Sequence, residues 1–72
     1  MIPHLEKMIN VLELLECLDK RQETREFNIN LYNYYGFTEL ANKTIYQFKI
    51  GEIARIRLKL YFNKLKDQIN PL

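Results

Sequence analysis

The sequence contains no serine and no tryptophan, and it has one cysteine, Cys17, and one histidine, His4. Without serine there is no serine nucleophile, and a single cysteine cannot form a disulfide within the chain. One cysteine with one histidine also falls short of the ligand set of an ordinary zinc site. Because an unpaired thiol suits a reducing compartment, we expect a cytoplasmic protein that holds no metal and no cofactor.

Glycine and proline are equally scarce, with two of each in the chain. Gly36 and Gly51 are isolated, so the sequence has no glycine loop that would cradle a phosphate. No set of residues with catalytic spacing is present, and we therefore expect no catalytic residues and no enzymatic activity. Charged residues interrupt every early apolar run, which argues against a signal peptide and against a membrane-spanning helix.

The 72 residues predict a single domain over 1–72, with a net charge of +2. A chain of this size buries only about 60% of its unfolded surface, so it often needs a partner subunit. Acidic residues gather in the first third of the chain and basic residues in the last third. The abundance of Asn, Lys, Ile, Tyr and Phe, which have AT-rich codons, favours a low-GC bacterium, a phage or a plasmid as the source.

A long helix is predicted from Pro3 to about Arg25, because no glycine or proline interrupts this stretch. Its apolar positions form two adjacent stripes, wider together than one core face requires. The first stripe comprises Leu5, Met8, Ile9, Leu12 and Leu15. The second comprises Val11, Leu14 and Leu18. The second stripe is covered either by the C-terminal segment of the same chain or by the same helix of a second copy in a homodimer, and both alternatives stay open here.

The segment from Arg55 to Phe62 alternates between apolar and polar residues, which is typical of a strand with one buried face. A helix over this segment would place Leu58 and Leu60 on different sides and leave no clean polar face. The pattern therefore predicts a strand over Ile53–Phe62.

Two further strands are predicted over Glu26–Tyr35 and Thr44–Ile50, with a break at Gly36. A short helix from Asn63 to Ile69 follows, and Pro71 prevents its continuation. The predicted fold is α+β, with the long helix packed on a three-stranded antiparallel sheet and the short helix at the end. The order of the strands stays open.

Gly51 marks a hairpin turn between the last two strands, and two registers are compatible with it. A two-residue loop of Gly51 and Glu52 would bury Lys49 beneath the aliphatic side chains. A three-residue loop from Lys49 to Gly51 would bury Tyr46 and Phe48 instead. Because burying an unpaired ammonium costs several kcal/mol, we predict the three-residue loop.

The outer face of the predicted sheet is the candidate site, because it combines cations with tyrosines. Tyr and Arg are frequent anchors of protein interfaces, and the same types stack on bases and hold phosphates in RNA-binding sheets. The predicted partner-binding residues are Arg55, Arg57, Lys59, Tyr61, Tyr32, Tyr34 and Gln47.

These observations favour a small protein-binding module, such as a phage or plasmid inhibitor or regulator, that acts by occupying the surface of a partner protein. The alternative is a protein that binds RNA or single-stranded DNA through the basic face of the sheet. A third hypothesis is an antitoxin-like homodimer, which would pair through Val11, Leu14 and Leu18.

Overall fold

In a computed structural model the chain folds into two antiparallel α-helices joined by a three-residue turn. Helix α1 is Pro3–Tyr34 and helix α2 is Thr38–Ile69, each of 32 residues. The structure describes the backbone of residues 3–69 and the side chains of residues 5–68. It is a rod of 53 × 18 × 14 Å, as expected for helices that rise about 1.5 Å per residue. No strand occurs among the described residues, so the predicted α+β fold is wrong and the molecule is a helical hairpin.

The predicted first helix is confirmed from Pro3 to Arg25, but α1 continues through the segment predicted as the first strand. Asparagine lowers helix propensity by at most about 0.7 kcal/mol per residue. The helix keeps its packing surface over this stretch, because Ile29 and Tyr32 are partly buried on the side of α1 that meets α2. Tertiary contact therefore outweighs the weak local preference of the three Asn residues.

Gly36 ends α1 in a left-handed conformation, with φ of 76°. The N–H of Gly36 donates to the carbonyl of Asn33 at 3.2 Å, and the N–H of Phe37 donates to the carbonyl of Tyr32 at 2.8 Å. This pair of bonds is the Schellman motif, which satisfies carbonyls at a helix end and favours glycine at its left-handed position. The predicted break at Gly36 is confirmed, and α2 starts two residues later at Thr38.

Helix α2 includes the segments predicted as the second strand, the third strand and the terminal helix. Neither hairpin register exists, because Gly51 lies in the middle of the helix. Asn63 is likewise an interior helical residue and not a cap. No proline interrupts Thr38–Ile69, so the backbone can continue its hydrogen-bond ladder without a break. The predicted stop at Pro71 lies outside the described residues.

The two helices meet along a seam whose positions alternate between three and four residues apart on both helices. This heptad spacing is the pattern of an antiparallel coiled coil. The seam residues of α1 are Met8, Val11, Leu15, Leu18, Gln22, Arg25, Ile29 and Tyr32. Those of α2 are Ala41, Thr44, Phe48, Gly51, Arg55, Leu58, Phe62 and Leu65. Val11, Ala41 and Leu65 are the buried hydrophobic residues of the described chain, so the core is thin.

The alternating segment misled the strand prediction because α2 is apolar on two sides. Leu58 and Phe62 belong to the seam, whereas Ile56 and Leu60 point away from α1 and are exposed. The lack of a clean polar face argues against a helix over this segment, yet α2 is a helix that lacks such a face. Tyr46 and Phe48 also separate, since Phe48 is partly buried at the seam and Tyr46 is exposed.

Candidate functional site

The side of α2 that faces away from α1 carries a stripe of exposed large apolar residues, here called the outer stripe. Its members repeat at spacings of three and four, within an arc of about 120° of the helix surface. The outer stripe comprises Tyr46, Ile50, Ile53, Ile56 and Leu60. Each of these side chains keeps about half or more of its surface accessible, with Ile53 at 53%. Contiguous exposed apolar surface of this kind is a candidate interaction site.

Cations border the outer stripe on both sides. Arg57 lies on one edge and Lys49 lies on the other, while Lys43 and Lys64 continue the first edge beyond the two ends of the stripe; all four are exposed. Acidic residues on this side of the helix occur at its ends, where Glu39 and Asp67 stand one heptad beyond Tyr46 and Leu60. The outer stripe is therefore apolar in the middle and positively charged along its edges.

The charge separation along the sequence becomes a separation between the two sides of the rod. Helix α1 carries six acidic and four basic residues, whereas α2 carries three acidic and seven basic residues. Because the helices run side by side, the molecule presents a more acidic flank along α1 and a basic flank along α2. A charged partner would distinguish the two flanks.

The middle of the seam is polar, and its groups bond to one another across the two helices. The Gln22 side chain is buried, with 3% of its surface exposed. Its amide Nε2 donates to the Phe48 carbonyl at 2.9 Å and to Oε1 of Glu52 at 3.1 Å. Its Oε1 accepts from Nη1 of Arg25 at 2.7 Å. These bonds satisfy the buried amide, which would otherwise lose about 1 to 3 kcal/mol.

An ion-pair group adjoins this amide on one broad side of the rod. Nη1 of Arg55 lies 3.5 Å from Oδ1 of Asp19 and 3.5 Å from Oε1 of Glu52. The side chains are one third to one half exposed, and pairs of this kind contribute about 0 to 1 kcal/mol. Arg55 therefore serves the contact between α1 and α2.

Gly51 provides the space that the Gln22 amide occupies. A methyl group on Gly51 would collide with Oε1 and Cδ of Gln22 and would lie 2.8 Å from Nη1 of Arg25. A glycine within a helix costs about 1 kcal/mol relative to alanine. The close approach of Gln22 is the structural reason for glycine at this position.

The predicted partner-binding residues are distributed around the rod, because the sheet that would have aligned them does not exist. Arg55 and Tyr32 lie at the seam. Arg57 borders the outer stripe, and Lys59 lies on the broad side that carries Glu52. As a partner-binding set, these residues stay a prediction.

The remaining three partner-binding residues lie on other surfaces. Gln47 and Tyr61 share the opposite broad side of α2, two heptads apart. Tyr34 is exposed at the end of α1, where its ring meets that of Tyr35 edge-on, with centroids 5.0 Å apart.

The residues predicted to form a dimer interface separate in the same way. Val11 is buried and Leu18 is partly buried at the seam with α2, whereas Leu14 is exposed. The C-terminal helix of the same chain therefore covers part of the second apolar stripe of α1. Dimerisation through these residues stays a prediction.

The sequence interpretation missed the outer stripe as a site, although the spacing that reveals it is present. Tyr46, Ile53 and Leu60 repeat every seven residues, and Ile50 and Ile56 lie between them. That repeat is typical of one side of a helix. It was overlooked because the alternation over Arg55–Phe62 assigned the same residues to strands.

Within the described residues, no group of three or more His, Cys, Asp or Glu side chains is arranged to hold a metal ion. Over the same part of the chain, neither helix has a stretch long and apolar enough to cross a membrane. Comparison with known proteins found no matching family model, no matching curated protein and no matching solved structure.

Proposed function

We propose that this hairpin is a non-enzymatic protein-binding module, an inhibitor or regulator, that acts by occupying the surface of a partner protein. The observation that carries the proposal is the outer stripe. Five large apolar side chains on one helix face remain exposed although the hairpin has already formed its own seam. Leaving such a surface in water forgoes roughly 25 cal/mol for each Å² that a partner would cover.

The organisation of the rod supports this proposal. The seam uses one side of α2 and leaves the opposite side of the same helix available over its whole length. A long helix that offers an apolar stripe with charged edges is a common means of recognising another protein. The thin core also favours a molecule that gains stability when a partner covers more of its apolar surface.

A matched pair of variants tests the proposal. Ile53 and Ile9 are exposed to 53% and 55%, but Ile53 lies on the outer stripe and Ile9 lies on α1. We expect Ile53→Asp to abolish binding to a specific protein from lysates of low-GC bacteria, because it places a carboxylate at the centre of the apolar contact. Ile9→Asp should leave that binding intact. Affinity capture with the wild type and both variants, read by mass spectrometry, gives the comparison.

A captured protein counts only after purification and direct titration against the hairpin. We expect at least about a tenfold weaker dissociation constant for Ile53→Asp, as for a central interface residue. Circular dichroism of both variants serves as the folding control. The proposal fails if the proteins bound by the wild type are bound equally by Ile53→Asp.

A second candidate function is binding of RNA or single-stranded DNA, favoured by the excess of cations on α2. Nucleic-acid binding would weaken steeply with salt and would depend on Lys49 and Arg57 more than on Ile53. Titration of a labelled single-stranded RNA at two salt concentrations distinguishes this function from the first.

A further inference from the structure

We infer that the occupant of the outer stripe is an amphipathic helix with acidic edges, supplied by a different protein. This inference rests on the proposed function and specifies the chemistry of the partner. It is carried by the shape of the outer stripe, by the sign of the charges along it, and by the poor fit of a second copy of this chain.

The shape of the outer stripe suits a helix laid along it. From Tyr46 to Leu60 it extends over about four helical turns, or about 21 Å, with one apolar side chain or more at each turn. A partner helix with apolar residues every three and four positions would meet these side chains in register. A strand would match them poorly, because its side chains repeat every two residues.

The charges along the outer stripe select an acidic partner. A helix packed on the stripe would place its edge residues next to Lys43, Lys49, Arg57 and Lys64. Glu or Asp at those edges would face cations on both sides. Lys or Arg there would face like charges, and such pairs oppose association and exclude wrong partners.

A second copy pairing through the same stripe would bring like charges together. In an antiparallel pair centred on Ile53, Lys43 of one copy would meet Lys64 of the other, and Glu39 would meet Asp67. In a parallel pair the edge that carries Lys49 would face the edge of the second copy that carries Lys43 and Arg57. Both arrangements bring cations next to cations at the edges of the contact, so self-pairing of α2 is disfavoured.

A second copy could instead offer its acidic helix α1. The apolar residues exposed in the first four turns of α1 are Leu5, Ile9, Leu12 and Leu14, and they extend over a shorter length of helix than the outer stripe. Packing α1 of one copy on α2 of another is also heterologous, so each added copy leaves a new stripe uncovered. Such contacts build rings or open chains of several copies, whereas an acidic helix from another protein would complete the contact in one step.

The test uses two designed peptides with the same apolar seam and opposite charges. Each has about four heptads with Leu at positions a and d, and the edge positions e and g carry Glu in one peptide and Lys in the other. Fluorescence anisotropy of the labelled peptides is measured against the full-length hairpin. We expect the Glu peptide to bind at least about tenfold more tightly than the Lys peptide at low salt, with the difference shrinking at high salt.

Variants of the hairpin test whether the peptide binds at the outer stripe. We expect Ile53→Asp to abolish binding of the Glu peptide and Ile9→Asp to retain it. A double variant, Lys49→Glu with Arg57→Glu, should reverse the preference between the peptides. Each of these results supports the inference.

Negative results of these experiments distinguish a wrong inference from a wrong proposed function. Equal or tighter binding of the Lys peptide overturns the acidic partner but leaves protein binding through the outer stripe in place. Binding of neither peptide, while Ile53-dependent capture of a bacterial protein persists, overturns the helical partner alone. If neither peptide binds and no protein is captured in an Ile53-dependent way, the inference and the proposed function are both overturned.

Two further outcomes name a different occupant, and each overturns the inference. If the hairpin self-associates and Ile53→Asp disrupts the association in sedimentation experiments, a second copy occupies the outer stripe. If a single-stranded RNA binds, and the Lys49→Glu, Arg57→Glu variant loses it while Ile53→Asp keeps it, the ligand is nucleic acid.

Discussion

At the scale of single residues, Gln22 and Gly51 depend on each other. The buried amide of Gln22 fits between the helices only because Gly51 has no side chain at the point of closest approach. In return, the amide donates to the Phe48 carbonyl and to Glu52 and accepts from Arg25. Each residue is unfavourable alone, since a buried amide needs partners and a helical glycine lowers stability.

This dependence predicts a non-additive double-mutant cycle. In a Gln22→Ala background, Gly51→Ala should stabilise the hairpin by about 1 kcal/mol, because alanine favours the helix and the space is then free. In the wild type, the same change should be less favourable by at least about 1 kcal/mol, because the amide must leave its hydrogen bonds. Urea unfolding followed by circular dichroism measures the four proteins. An equal effect of Gly51→Ala in both backgrounds would contradict the coupling.

At the scale of elements, α2 has two apolar sides with different roles. Leu65 is 3% exposed at the seam, whereas Leu60 is 60% exposed on the outer stripe. Similar side chains five residues apart thus differ in environment: Leu65 belongs to the contact within the hairpin, and Leu60 belongs to the surface that we propose binds a partner.

Truncating each of these leucines separates the two roles. We expect Leu65→Ala to lower the free energy of unfolding by about 2 to 3 kcal/mol through loss of buried contacts. Leu60→Ala should change it by less than about 0.5 kcal/mol, because its side chain is mostly in water. The affinity for the partner should instead fall more in Leu60→Ala than in Leu65→Ala. A large loss of stability from Leu60→Ala would place that side chain in a core, as the strand hypothesis required.

The sequence predicted α1 as far as Arg25 and the break at Gly36, because uninterrupted helix formers and an isolated glycine are local signals. Helix α2 was not predictable from the same rules. When a helix is apolar on two opposite sides, an eight-residue window from Arg55 to Phe62 shows the alternation of a strand. The longer repeat of seven, from Tyr46 to Leu60, distinguishes the two structures.

The candidate site was predictable in its chemistry and not in its location. The basic C-terminal third of the sequence lies on α2, and Arg57 borders the outer stripe as one of the predicted binding residues. Arg55 and Tyr32 instead lie at the seam, since their position depends on which side of each helix meets the other. That choice is made by tertiary packing, which no local pattern contains.

At the scale of the whole molecule, the fold is a rod and not a compact globule. The Cα radius of gyration is 16.3 Å, whereas a compact domain of this length would have a value of about 11 Å. The rod exposes a large surface for its mass, which suits the binding function proposed for the outer stripe.

Small-angle X-ray scattering of a dilute monomer should therefore give a radius of gyration of about 16 Å, and the far-ultraviolet spectrum should be dominated by helix. Sedimentation at the same concentrations controls for association. A radius near that of a compact domain would contradict the extended hairpin.

The space beside Gly51 also favours one alignment of the two helices along their common axis. A heptad repeat alone is compatible with alignments that differ by seven residues, and the three-residue turn and the space at Gly51 both oppose such a slide. Such a slide would bring Gln22 opposite Thr44 or Leu58, where a side chain already fills the position. Because α2 contains one glycine, the Gln22 amide fits opposite a single position of α2 and thereby favours one alignment of the two helices.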